Sequence, residues 1–346
     1  MRPDSENGVA DAIRAADGPI TPIGGGTRLL PGEGQGARLD TRGLTGITLY
    51  EPAALTLVVR AGTPLDEVQA VLAAEGQHLA FEPPRRPGST IGGVAAANAL
   101  GPRRVQAGAC RDAMLGVRFV DGTGTVVANG GRVMKNVTGY DLVKLMAGSR
   151  GTLGVLTQIA FKTAPLPPTT VTLLLPELDA SAAIPALTAG LRGPFDVSGA
   201  AWLPERGAML RLEGLAGSVA SRAQALTQRL AAFGTVTSSD DPDLWRFHDS
   251  AVPDADGWDS WRIVCRPSQL RSILGSLPAP PRFLDWGGAL IHADLPANTV
   301  PDLPAGAIAT RLSRAASRLP APDPVIAGLE AGLRRRFDPR GLFVAA

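Results

Sequence analysis

Lysine is almost missing from this chain: of its 34 basic residues, only Lys135, Lys144 and Lys162 are not arginine. No G-x-x-x-x-G-K-[ST] precedes any of them, which excludes a P-loop phosphate site. Cysteine is scarcer still. Cys110 and Cys265 are too few for an iron–sulfur cluster or a disulfide framework, as expected of a reduced compartment. The three histidines, His78, His248 and His292, lie far apart in sequence and show no metal-ligand spacing, so no metal is expected. Aromatic residues make up 5%, no basic cluster has aromatics interleaved, and the net charge is only +2, so nucleic acid is not an expected partner. No uninterrupted apolar run approaches the ~18 residues of a membrane span. The first twenty residues carry acids and lack the apolar stretch of a signal peptide. These absences point to a soluble, cytoplasmic protein, and 346 residues suffice for two or more domains with real cores.

Glycine, by contrast, is abundant, and three dense runs of it stand out. They are Pro22-Ile23-Gly24-Gly25-Gly26-Thr27, then Pro87-Gly88-Ser89-Thr90-Ile91-Gly92-Gly93, then Gly148-Ser149-Arg150-Gly151-Thr152-Leu153-Gly154-Val155. Consecutive glycines permit positive φ and carry no Cβ, so backbone N–H groups can close around an anion. Taken singly, Gly24–Gly26 also reads as a strand-end turn, Gly92-Gly93 as close packing of helix on sheet, and Gly151–Gly154 as a β-turn. Together they suggest a cradle for a long phosphate-bearing cofactor. It is not a Rossmann site: Gly24 and Gly26 are followed by Leu29 where G-x-G-x-x-G needs its third glycine.

Helix and strand signals alternate along the chain. Val9 and Ile13 fit a short amphipathic helix, and residues 55–59 a buried strand. Thr63 as N-cap, Pro64, the acids Asp66 and Glu67, and Gly76 punctuate a helix after it. Residues 114–120 and 125–128 flank Asp121-Gly122-Thr123-Gly124, a hairpin signal. The proline-rich stretch 164–168 reads as a domain boundary. Beyond it, strand, helix, strand, strand occurs twice, over 171–212 and 262–294, which predicts an antiparallel sheet with helices on one face. The expected fold class is α+β.

At this point the residues resemble a known family. The three glycine runs, Val58-Val59-Arg60-Ala61-Gly62-Thr63-Pro64-Leu65, the run 138–157 and the closing Arg334-Arg335-Arg336-Phe337-Asp338-Pro339-Arg340-Gly341-Leu342-Phe343 follow the order of PCMH-type FAD-binding proteins, the vanillyl-alcohol-oxidase fold. Val133-Met134-Lys135-Asn136-Val137-Thr138-Gly139-Tyr140-Asp141-Leu142 and Asp285-Trp286-Gly287-Gly288 resemble the E subunits of bacterial glycolate oxidases. The resemblance implies a two-lobed FAD-binding domain over residues 1–165, a cap domain with ferredoxin-like β-α-β-β repeats over 166–320, and a segment 321–346 returning to the first. It implies FAD held by Pro22, Ile23, Gly24, Gly25, Gly26, Thr27, Pro87, Gly88, Ser89, Thr90, Gly92, Gly93, Asn98, Gly101, Gly151, Gly154 and Val155. It implies a glycolate oxidase or dehydrogenase complex in which a larger FAD subunit and an iron–sulfur subunit are partners, glycolate or a similar small 2-hydroxy acid is the substrate, and membrane contact comes only through the complex.

Departures from the family matter as much. Position 27 is threonine where some relatives carry the histidine that bonds covalently to flavin, so non-covalent FAD is expected; Cys110 reads as a buried small hydrophobe. The histidine-rich H-G-H-x-G-D-G-N of related 2-hydroxy-acid dehydrogenases is missing; the corresponding region offers Trp286-Gly287-Gly288-Ala289-Leu290-Ile291-His292, with His292 alone. No catalytic base is therefore assigned. Lys135, Asn136, Tyr140 and Asp141 have either a flavin or partner role, or structural ones, with Tyr140 buried and Asp141 capping the next helix. Three readings stay open: an accessory FAD subunit, a self-sufficient oxidoreductase, and a subunit whose flavin site has lapsed.

Overall fold

The computed structural model describes residues 1–30, 32, 34–132, 139–249, 257–313 and 318–344. The chain folds as two compact units, one from Met1–Gly101, Gly108–Leu166 and Pro322–Ala346, the other from Pro102–Ala107 and Pro167–Ala321.

In the first unit, α1 (Glu6–Arg14) begins at Ser5, whose hydroxyl accepts from the Gly8 N–H, and buries Val9, Ala10 and Ile13 on one face. Next come β1 (Ile20–Ile23) and β2 (Ala37–Asp40), paired in parallel, then β3 (Ile47–Glu51) and β4 (Thr56–Arg60), paired antiparallel. α2 (Leu65–Ala74) buries Leu65, Val68 and Leu72 and stops at Gly76, whose φ of +63 suits the end of a helix. Its N-cap is Pro64, not Thr63. The Thr63 hydroxyl donates to the Arg60 carbonyl (2.8 Å) and accepts from the Gly46 N–H (2.9 Å), so it ties the end of β4 to the approach to β3 instead. β5 (Gln77–His78), α3 (Ile91–Ala96), α4 (Arg104–Ala107, part of the second unit) and α5 (Cys110–Ala113) precede the hairpin of β6 (Met114–Val120) and β7 (Val126–Gly130). Asp121 closes that hairpin by accepting from the N–H groups of Thr123 and Thr125. α6 (Leu142–Met146), β8 (Val155–Lys162) and β9 (Ala164–Pro165) complete the run.

The five-stranded sheet has the order β3-β4-β8-β6-β7 and is antiparallel throughout. Leu57, Val59, Ile159 and Phe161 share a core with Leu65, Val68 and Leu72 of α2 and Ile91 and Val94 of α3. A separate core joins Val9 and Ile13 of α1, Ile20 of β1, Leu39 of β2, Val120, Val155, Leu342 and Phe343.

The second unit runs β10 (Thr169–Leu175), α7 (Ala180–Leu191), β11 (Val197–Leu203), β12 (Gly207–Gly214), α8 (Ala216–Leu230), β13 (Thr237–Ser239), β14 (Trp258–Val264), α9 (Leu270–Ser276), β15 (Phe283–Asp285), β16 (Leu290–Pro296), β17 (Ile308–Arg311) and β18 (Arg318–Leu319). Its nine described strands form one antiparallel sheet in the order β13-β10-β12-β11-β15-β16-β14-β17-β18. The two predicted repeats are β10-α7-β11-β12 and β14-α9-β15-β16. Each places its last strand between its first two, and they meet back to back at β11 and β15. Leu187, Leu226, Leu230, Leu270 and Ile273 from α7, α8 and α9 pack on Ala200, Leu210, Ile263, Leu284 and Ile291, so the three helices cover one face. Alternate side chains on the same strands point to the opposite face.

α10 (Pro324–Phe337) belongs to the first unit. It has Asp323 as N-cap and Pro324 at its start, and it buries none of its residues. Beyond it Asp338 accepts from the Phe343 N–H (2.6 Å), the Ile20 N–H donates to the Leu342 carbonyl (2.8 Å), and Phe343 pairs in parallel with Ile20.

Candidate functional site

β1 delivers the chain directly into Gly24-Gly25-Gly26-Thr27, and the second glycine run lies against it. A Cβ at Gly24 would stand 2.1 Å from Thr90 Oγ1, and one at Gly25 would stand 1.7 Å from the Gly88 carbonyl oxygen. No side chain fits between backbones that close. Among the described residues, no protein acceptor takes the N–H groups of Gly24, Gly25, Gly26 or Thr27. Such unpaired donors are what an anion requires. Gly92 is held as closely: its N–H donates to the Ala61 carbonyl (2.7 Å), and a Cβ there would be 2.8 Å from Ala61. Thr90 caps α3 and accepts from the Gly93 N–H.

Arginines hold the loops together. Arg28 donates to Ser89 Oγ (2.6 Å), Thr27 Oγ1 (3.3 Å) and the Pro84 carbonyl (2.6 Å). Arg86 donates to the Thr27 carbonyl (2.8 Å), and Arg150, in the third glycine run, to the Arg28 carbonyl (2.7 Å). Gly151 (φ +79) and Gly154 (φ +151) bring that run beside Pro22 and Val120. The result is a cleft with about 680 Å³ of empty space, open solvent included, walled by all three runs.

Of the residues expected here, Pro22, Ile23, Gly24, Gly25, Gly26, Thr27, Thr90, Gly92, Gly93, Gly151, Gly154 and Val155 line the cleft. Pro87, Gly88, Ser89, Asn98 and Gly101 are not on that wall. The Gly88 carbonyl and Ser89 hydroxyl brace the first loop from behind. Asn98 accepts from the Arg111 N–H (3.0 Å), and the Gly101 N–H donates to the Phe81 carbonyl (2.9 Å). Thr41, Ala61, Ala97, Arg28 and Arg150 line the cleft and were not read from the sequence. Arg28 could have been, since it directly follows the first glycine run.

Other candidates separate cleanly. Cys110 is fully buried in the core of the first unit, and burial pushes its thiol far above the ordinary range. Asp141 caps α6 by accepting from the Lys144 N–H (3.1 Å). Tyr140 is not buried but 88% exposed; Asn129 fixes only the backbone there, donating to the Tyr140 carbonyl and accepting from the Leu142 N–H. Lys135 and Asn136 lie outside the described residues.

In the second unit His292 is a strand residue of β16, and other aromatic and basic side chains stand beside it. On the sheet face opposite α7, α8 and α9, Arg262, His292 and Phe283 stand side by side across β14, β16 and β15. His292 stacks on Phe283 (centroids 4.4 Å, planes 17° apart). His248, far from both in sequence, packs edge-on against Phe283 (5.0 Å) and joins Asp285 through Nε2 at 2.6 Å. Burial pushes the Asp285 carboxyl up, opposed by the hydrogen bond and charge of His248, the Trp286 N–H and the charge of Arg211. The buried carboxylate fixes the orientation of the His248 ring, a pairing that the sequence did not reveal. Its two members are separated by 37 residues, and no local motif signals the pair.

Residues 1–130 match the family described as FAD binding domain. Across 316 residues the chain is 35% identical to glycolate oxidase subunit GlcE of Escherichia coli (strain K12), covering 89% of this chain and 86% of that one. The chain belongs to the GlcE family. It is 37% identical over 161 residues to glycolate oxidase subunit GlcD of Bacillus subtilis (strain 168), covering 45% of this chain and 34% of that relative. A solved alkyldihydroxyacetonephosphate synthase superposes with a TM-score of 0.71 at 14% identity, covering 99% of this chain and 76% of that one, a likeness of fold. The cradle suits FAD physically. Free N–H donors and the glycines that a Cβ would clog stand where a diphosphate needs close backbone, and Ile23, Ala96, Ala97, Val155 and Leu156 give the same cleft apolar wall.

Proposed function

We propose that this chain binds FAD non-covalently in the cradle of its first unit and serves as an FAD-bearing subunit of a glycolate oxidase, taking part in oxidation of a small 2-hydroxy acid to the 2-oxo acid. The convergence of three sequence-distant glycine runs on one cleft, in a chain matching GlcE over nearly its whole length, supports this reading most strongly. Bound FAD would supply the hydride acceptor. The N–H groups of Gly24, Gly25, Gly26 and Thr27 would hold the diphosphate, Thr90, Gly92 and Gly93 would run along the cofactor, and Gly151, Gly154 and Val155 would close its far side. Arg28 and Arg150 add positive charge at the wall. Charged hydrogen bonds are worth about 1.5–3 kcal/mol each, so a few of them plus buried flavin account for micromolar or tighter retention.

Partners in this reading are a larger FAD subunit resembling GlcD and an iron–sulfur subunit that carries electrons onward. α10 is the surface offered to the first of these. Val325 (72% exposed), Ile326 (52%), Leu329 (66%) and Leu333 form an apolar stripe at helical spacing, ending in Arg334, Arg335 and Arg336. Among the described residues no helix is long and apolar enough to cross a membrane, so membrane contact at the inner face would come through such partners. One observation favours a second reading, a self-sufficient oxidoreductase: the buried Asp285 fixes the orientation of the His248 ring.

Purification of the chain alone and with its partner subunits, followed by visible spectra and dye-linked glycolate assays, separates the two. The accessory reading expects a yellow chain with little turnover alone and turnover in the complex. Rapid glycolate oxidation by the chain alone would establish the second reading in its place. Ile326→Asp combined with Leu329→Asp is expected to abolish co-purification with the larger subunit while leaving FAD content intact.

A further inference from the structure

Trp286 is held in an unusual place. Its φ is +55, a left-handed backbone that side chains rarely adopt, and Gly287 (+64) and Gly288 (+94) continue the turn. Asp285 fixes the turn by accepting from the Trp286 N–H (2.6 Å) with one carboxylate oxygen while the other holds His248. The left-handed φ of Gly287 and Gly288 favours glycine at both positions, and a Cβ there would also push aside the side-chain tips of Leu191 of α7 and Leu270 of α9. The turn carries an indole that two guanidinium groups approach. Arg104 of α4 lies 4.9 Å from the ring centroid and Arg262 of β14 lies 5.3 Å from it.

Among the described residues neither Arg104 nor Arg262 has a carboxylate or hydrogen-bond partner. Their neighbours on the same face are paired: Arg103 with Glu213 (2.7 Å), Arg211 with Glu213 (3.3 Å), His248 with Asp285. Two like charges gathered without a counter-charge repel each other, and the repulsion is relieved by an anion between them. Burial, then the charge of Arg104, lowers Arg262 from its usual range to about 10. Arg104 is exposed and Arg262 half-buried, so a solute can reach them.

We propose that Arg104 and Arg262, with Trp286 as a wall, form a binding site for a small planar carboxylate. A guanidinium fork matches a carboxylate edge in two parallel hydrogen bonds, and the flat rings of Trp286, Phe283 and His292 suit a flat ligand better than a tetrahedral one. The site lies wholly in the second unit and needs no flavin to bind its ligand.

Calorimetry of the full chain, with and without FAD, against oxalate and separately against inorganic phosphate tests it. One oxalate per chain is expected, with phosphate bound more weakly. Arg262→Gln and Arg104→Gln should each lower oxalate affinity about tenfold or more, the loss of a charged hydrogen-bonding partner. Arg262→Lys should restore only part, because it keeps charge and loses the fork. FAD content serves as the control for folding and reports on the flavin site independently. No oxalate binding, oxalate affinity in either glutamine variant unchanged from the unmodified chain, full rescue by lysine, or phosphate bound as tightly as oxalate would each overturn the proposal.

Discussion

At the scale of single residues, the cradle depends on atoms that are missing. The first glycine run works because Gly25 leaves room for the Gly88 carbonyl, where a Cβ would stand 1.7 Å away. Gly25→Ala is therefore expected to force the two loops apart and to abolish yellow colour in the purified chain, while far-ultraviolet circular dichroism stays native. Gly18→Ala, where a Cβ meets nothing within 4 Å, should keep full FAD content. Comparable FAD loading by both variants would detach the cofactor from this loop contact. The two cysteines illustrate the converse, chemistry that burial removes. Cys110 is raised far beyond ordinary thiols and Cys265 to about 11 by burial, so neither has appreciable thiolate at pH 8. Iodoacetamide should label neither in the folded protein and both in urea; rapid labelling of Cys110 under native conditions would show that it is accessible to chemistry after all.

At the scale of elements, one carboxylate of α1, Glu6, adds polar ties to β6 and β8 of the five-stranded sheet beside the apolar packing of Val9 and Ile13. Burial would raise the Glu6 carboxyl, but hydrogen bonds from Arg118 (2.5 Å) and Thr157 (2.7 Å) and the charge of Arg118 bring it below its ordinary range. A depressed carboxyl stabilises the fold above its unfolded pKa, and that stability is lost as pH falls through the folded value. Arg118 is partly solvent-exposed, so screening limits the contribution to about 0.5–1 kcal/mol. Glu6→Gln should lower the melting temperature slightly at pH 7, and the difference from the unmodified chain should vanish in acid below the carboxylate range. A difference that persists in acid would assign the effect to packing. Elements of this kind were readable in the sequence: the α1 stripe, the Asp121 hairpin and the doubled strand-helix-strand-strand order are all local patterns of period, cap and turn. The Thr63 cap was misread because a threonine beside a strand end has other backbone groups within reach.

At the scale of the whole molecule, what the sequence conceals is distance along the chain. Glycine runs announce themselves, whereas Arg28, Arg86 and Arg150, which bind those runs together, look like ordinary surface arginines until the loops meet. His248 and Asp285 are likewise joined only by the folding of the second unit. The same property shapes how the first unit comes into being. Ile20, the opening residue of β1, pairs with Phe343, roughly 320 positions later, and β1 leads straight into Gly24. During vectorial synthesis the second unit is complete before the strand position beside β1 can be filled. Cofactor capture is therefore expected late, once Phe343 is free to pair with Ile20. A released chain truncated before Asp338 should have a protease-resistant second unit yet retain no flavin, making the yellow colour a marker that Phe343 has paired with Ile20.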